Sequence, residues 1–130
     1  KMRRPHRAPL PNAAIDLLRE LKPLTGHGEY LLPSVRSLKR PISENTFTAA
    51  LRRMGYTGDD ATAHGFRATF STLANESGLW NPDAIERALA HAEANAVRAA
   101  YARSEYWVER VRMAEWWAGY IEDLKKSENR

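Results

Sequence analysis

Ala14, Leu17, Leu18 and Leu21 recur at the three- and four-residue spacing that lines one face of a helix. That spacing predicts an amphipathic helix capped by Asn12 and ended by Pro23. The stretch before it, KMRRPHRAPL, has no such period and carries two prolines, so an extended strand or half of a hairpin is expected there. PLTGHG reads as a loop and EYLLP as a short extended piece. SENTFTAALRRMG predicts a second helix, opened by a Ser43 cap, stopped by Gly55, and burying Phe47, Ala50, Leu51 and Met54. Beyond the polar loop TGDDATA, a third helix is expected from about His64 to Ser77, with Phe66, Phe70 and Leu73 inward and Gly78 closing it. Asn81–Pro82 sets a capping side chain before a proline at the first helical position. That helix buries Ile85, Ala88 and Leu89 and ends near His91. Asn95 opens a short helix holding Val97 and Tyr101, and Ser104 opens the longest one. Trp107, Val111, Ala114, Ala118, Ile121 and Leu124 then fall on one side. The expected fold class is mainly α, with a small β element near the N-terminus.

Composition narrows the class. A chain of 130 residues, 43% hydrophobic, can build one domain with a real core. It has no apolar run of membrane length and no charged-then-apolar secretory start, and a cytoplasmic protein is the expectation. With no cysteine, disulfides, thiolate zinc sites and cysteine nucleophiles drop out. The net charge of +4 is unevenly spread: residues 1–60 hold 11 Lys/Arg against 6 Asp/Glu, and the rest hold 9 against 10. Clusters at KMRRPHR, RSLKR and Arg52–Arg53 suit a polyanion, because neutralised phosphates release counterions. A solvated basic surface is the alternative.

Candidates for chemistry are few. His6, His27, His64 and His91 lie far apart, without metal-ligand spacing, and neither a Gly-rich phosphate loop nor Gly-x-Ser-x-Gly occurs. Asp59–Asp60 reads as a solvated turn. In TAHGFRATF, His64 and Arg67 share one helix face, although imidazole and guanidinium do not attract each other. Such a pair calls for a negatively charged or proton-donating partner. In ALAHAEANAVRAAYAR, His91 falls at a helix end and reads as a cap or a satisfied polar group. Tyr101, among alanines and near Arg98 and Arg103, reads either as a core-edge residue or as a nucleophile.

Taken together, HGFRATF, ERALAH and NAVRAAYAR resemble, in order, the His-x-x-Arg box, the third-box histidine and the nucleophile segment of the tyrosine recombinases. The similarity is to the bacteriophage and genomic-island integrases, whose tyrosine sits in a comparable VRAAY-x-R setting. KMRRPHRAPLP resembles the second strand of that family's active-site hairpin, with Lys1 at its lysine position, and SENTFTAALRRMGY resembles the helix that follows. The likeness covers nearly the whole chain.

The resemblance implies tyrosine attack on a DNA phosphodiester, giving a 3′-phosphotyrosyl link and a free 5′-hydroxyl without metal, ATP or other cofactor. Tyr101 would be the nucleophile. Arg67 would clamp two non-bridging oxygens, His64 would bond the phosphate region and act as general base, His91 would donate to a non-bridging oxygen, and Lys1 would protonate the leaving 5′-oxygen. Lys39, Arg40, Ser43 and Thr46 lie near an expected helix N-terminus, where phosphate binding is favoured, and Arg52 and Arg53 follow as further DNA contacts.

Residues 1–130 would then form a single catalytic domain of a longer integrase, without the family's upstream arginine or its N-terminal DNA-binding domains, and weak or inactive alone. The implied partners are double-stranded attachment-site DNA, further copies of the chain on that DNA, and DNA-bending accessory proteins, with no membrane. Two other classes stay open: a non-catalytic helical DNA-binding module and a helical interaction domain. The aromatic last helix, with Trp107, Trp116, Trp117 and Tyr120, either packs on its own core or docks on a neighbour.

Overall fold

The computed structural model describes residues 6–91 and 106–128. Along the chain run α1 (Asn12–Thr25), β1 (Pro33–Ser34), β2 (Ser37–Pro41), α2 (Asn45–Arg53), α3 (Ala63–Glu76), α4 (Pro82–Ala88) and α5 (Trp107–Glu128). Among the described residues the fold is mainly α with a small antiparallel sheet, as the sequence predicts. Two compact units are present: Ala13–Thr69, and the residues up to Asn12 together with those from Phe70 onward.

In the unit Ala13–Thr69, α1 runs past Pro23 to Thr25. Pro23 removes the backbone donor that would meet the Arg19 carbonyl and crowds the turn before it, and the helix ends two residues beyond it. The last α-type bond runs from the Gly26 N–H to the Lys22 carbonyl at 2.8 Å. A Cβ on Gly26 would lie 2.5 Å from that same oxygen, so only glycine fits. The Thr25 hydroxyl then donates to the Leu31 carbonyl at 2.9 Å and closes the loop.

The small sheet begins at Pro33, the last residue of the EYLLP piece expected to be extended. β1 and β2 pair Ser34 with Ser37 and Pro33 with Pro41 across an irregular register. Residues 6–11 form no strand, because Pro9 and Pro11 deprive that stretch of ladder donors. The expected hairpin strand otherwise falls on residues 1–5, outside those described.

The Ser43 cap is corrected too. The cap position of α2 is Glu44, in helical backbone geometry and without a side-chain cap bond. The Ser43 hydroxyl instead shares a 3.1 Å hydrogen bond with the Thr46 hydroxyl. Of the four residues expected inside, Leu51 is buried, whereas Phe47 is 51% and Met54 65% exposed. These residues with Ala50, Ala63 and Phe66 line an apolar cleft of about 320 Å³. Gly55 ends α2 as expected, at φ 95°, with its N–H on Arg52 O and the Tyr56 N–H on Leu51 O.

Arg52 and Asp60 brace the loop that follows. One guanidinium nitrogen of Arg52, Nη1, donates to the carbonyls of Tyr56, Thr57 and Ala61 at 2.7, 2.7 and 3.1 Å. The Asp60 carboxylate accepts the Thr57 N–H at 2.6 Å. Hydrogen bonds from the Thr57 side chain and backbone, with the Arg52 charge, hold the Asp60 carboxyl below the usual carboxylate range against a small desolvation effect. A depressed folded value gives stability that is present above the unfolded value and lost as pH falls through the folded one. Asp60→Asn should therefore lower thermal stability at neutral pH. Its deficit against wild type should shrink as a melting series is taken into acid, below about pH 4.

The other unit has its core in Ala74, Ala84, Ile85, Leu89 and Met113, with Phe70, Trp80, Ala88, Tyr106 and Trp116 packed around them. Asn81 caps α4, its side chain accepting the Asp83 N–H at 2.9 Å ahead of Pro82, as the sequence predicts. The Asn81 N–H donates to Glu109 on α5 at 2.7 Å.

The inward face of α5 is not the expected one. Val111, Ile121 and Leu124 are exposed, and Arg110 and Met113 are buried. Aromatic girth decides this rotation. Trp117 meets Phe70 edge-on at 5.4 Å, Trp116 meets Trp80 at 5.8 Å, and Tyr120 stacks on Trp117 at 5.4 Å. Those rings therefore pack on their own unit. Trp107 lies under two cations, Arg7 and Arg110, at 5.4 and 5.7 Å. Arg110 Nη2 also donates to the Arg7 carbonyl, and Glu115 accepts from both the backbone N–H and the side-chain amide of Asn12. These contacts fasten the segment before α1 to α5.

Candidate active site

The first turn of α3 is built around a cap that spacing alone did not single out. Thr62 Oγ1 accepts the Gly65 N–H at 2.8 Å, and the Phe66 N–H reaches the Thr62 carbonyl at 3.2 Å. The readable signal was a threonine three residues before a turn glycine, without the Glu or Gln that completes a capping box. A Cβ at position 65 would stand 3.0 Å from the capping oxygen, so glycine lets the cap close tightly. This turn carries His64 and Arg67, both exposed. It also carries the positive end of the helix dipole, so side chains and backbone favour an anion there. The structure thus brings His64 and Arg67 onto one helical turn of the unit Ala13–Thr69.

His91 belongs to the other unit and sits just past α4. Ala90 takes a left-handed φ of 53°, its N–H on Arg87 O at 3.2 Å, while the His91 N–H reaches back to Glu86 O at 3.0 Å. That pair of 5→2 and 6→1 bonds is a left-handed helix closure, and apolar contact between the two outer residues frequently accompanies it. Here a polar side-chain contact takes that place: His91 Nδ1 lies 2.7 Å from Glu86 Oε2. Glu86 escaped the sequence reading because five residues is not a same-face helical spacing; only the left-handed turn makes the two side chains meet.

Glycine is the usual residue in such a closure, and alanine there costs roughly 1–2 kcal/mol. Ala90→Gly should raise stability by about 1 kcal/mol, read as a rise of roughly 4 °C in Tm.

Lys1 and Tyr101 lie outside the described residues. Lys39 and Arg40 are exposed on β2, and Arg53 is exposed at the end of α2. Ser43 and Thr46 bond each other at the start of α2. Arg52, expected as a DNA contact, has its Nη1 committed to three carbonyls of the next loop. Among the described residues no group of three His, Asp or Glu could hold a metal ion, and no helix is long and apolar enough to cross a membrane.

The chain is 46% identical over 124 residues to the integrase of Enterobacteria phage P4, covering 94% of this chain and 28% of that protein. It is 43% identical over 121 residues to the prophage integrase IntA of Escherichia coli K12, covering 93% and 29%. It is 36% identical over 124 residues to the integrase of Shigella phage Sf6, covering 95% and 32%. The chain thus spans about three tenths of the length of the curated relatives it matches. No solved structure matches it. The profile described as "Phage integrase family" matches residues 1–107, which takes in HGFR, ERALAH and VRAAYAR. The chain belongs to the phage integrase family.

Proposed function

We propose that this chain is the catalytic part of a site-specific recombinase that inserts or excises mobile DNA. The observation that carries the reading is the family match through residues 1–107, which contains every residue assigned a catalytic role. The exposed His64–Arg67 turn agrees with it, offering an anion both a fixed cation and a helix N-terminus.

In the proposed reaction the Tyr101 oxygen attacks a DNA phosphorus. The new bond is a 3′-phosphotyrosyl ester, and the bond broken is that to the 5′-oxygen. His64 takes the phenolic proton and Lys1 supplies one to the leaving oxygen, so neither charge is left stranded. Arg67 and His91 meet the non-bridging oxygens, where negative charge grows in the transition state. The phosphotyrosyl ester keeps the phosphodiester's energy, and a second 5′-hydroxyl can reverse the step on a new partner strand. The partners are double-stranded attachment sites and further copies of the chain on them, and DNA-bending proteins would assist. The family's upstream arginine would complete the clamp.

The test uses the native polypeptide that carries this sequence and end-labelled DNA holding the element's own junction, nicked beside the cleavage point. Loss of the short 5′-hydroxyl piece traps the intermediate. A protein-linked DNA band on a denaturing gel is expected. Salt-sensitive binding without that band would return the protein to the class of non-catalytic DNA-binding modules.

A further inference from the structure

The turn after α4 points to a residue outside the expected site. We propose that Glu86 is a positioning residue for His91, fixing which ring nitrogen meets the phosphate. This rests on the reading that His91 belongs to the catalytic site.

Two bonds from the same residue hold His91. The Glu86 carbonyl accepts the His91 backbone N–H at 3.0 Å, and the Glu86 carboxylate lies 2.7 Å from Nδ1. An ionised carboxylate has no proton to give, so the ring must be the donor and Nδ1 must carry the hydrogen. The tautomer is thereby set by the protein, and Nε2 is the nitrogen left to face a ligand. The backbone bond locates the histidine, and the carboxylate orients its ring. A neutral ring held in this way presents Nε2 as an acceptor. The ring becomes a donor to a phosphate oxygen only when it is doubly protonated, and Glu86 supplies the counter-charge for that state. A bond between a carboxylate and one ring nitrogen governs the other nitrogen in the same manner in metal-ligating histidines.

The first arm of the test is spectroscopic and independent of activity. In the chain labelled with ¹⁵N at histidine, long-range proton–nitrogen correlation at alkaline pH reports which nitrogen of His91 holds the proton. Wild type should show it on Nδ1, and Glu86→Ala should shift His91 to the Nε2–H form that free imidazole side chains prefer. The Glu86 carbonyl remains in the alanine variant, so the turn is kept, and an unchanged melting transition checks this. The second arm is cleavage of the nicked substrate by the native polypeptide. Glu86→Ala should slow adduct formation at least about tenfold with DNA affinity unchanged.

The same tautomer in both proteins would overturn the proposal. So would a changed tautomer with an unchanged cleavage rate while His91→Ala is impaired. If His91→Ala cleaves normally, the assignment of His91 to the site fails, and the spectroscopic arm still decides whether Glu86 sets the ring.

Discussion

Replacing Tyr101 with phenylalanine is expected to abolish the covalent protein–DNA adduct while leaving DNA affinity within about twofold. The substitution removes one oxygen and keeps the ring, so packing and phosphate contacts are little disturbed. Chemically the loss is complete for this route, because no other atom of residue 101 can bond phosphorus. Removing a nucleophile that acts together with its base and clamp costs on the order of 10⁴-fold or more, and residual cleavage at that level is lost in background. Single-turnover adduct formation on nicked DNA, beside a binding titration at the same salt, measures both quantities. An adduct that persists in the phenylalanine variant would mean that another residue is the nucleophile. Loss of binding along with the adduct would mean that Tyr101 is structural.

Arg67→Lys should have the second largest effect and a different signature. Lysine keeps the charge, so binding and its salt dependence should hold nearly steady. The planar fork that can meet two oxygens at once is lost. A donor aimed at charge that develops in the transition state contributes about 10²–10³ in rate. The adduct rate should fall by that factor at saturating DNA. A parallel fall in affinity and rate would instead make Arg67 an ordinary phosphate contact. Its exposed place on the first turn of α3, beside His64, makes the first outcome the expected one.

The helices were legible wherever the chain carries a residue whose chemistry is local. Asn81–Pro82 announces the start of α4, and Gly55 and Gly78, both at positive φ, close α2 and α3 as their positions imply. Legibility ended where several elements compete for one surface. Spacing puts Val111, Ile121 and Leu124 on the inner face of α5, yet indole and phenol rings need more room and find one another, turning that face outward. Phe47 and Met54 follow the helical period of α2 and remain exposed, because a period names a face without naming what covers it. Pro23 predicts the end of α1 to within two residues, since the helix closes at Thr25.

The site divides in the same way. His64, Arg67 and His91 could be picked out as residue types in order, and the family match covers all three. Thr62 and Glu86, which set the backbone and the ring beside them, act through a cap and a left-handed turn that no helical spacing encodes.

Ala90 carries a consequence for how such a protein responds to selection. Glycine would relieve the left-handed backbone, and it would also widen the range of conformations open to the residue just before His91. A screen that rewards heat resistance alone should therefore accumulate glycine at 90. A screen that rewards recombination should hold the alanine, since the narrower well keeps the imidazole aimed. Stability and aim pull in opposite directions at one methyl group.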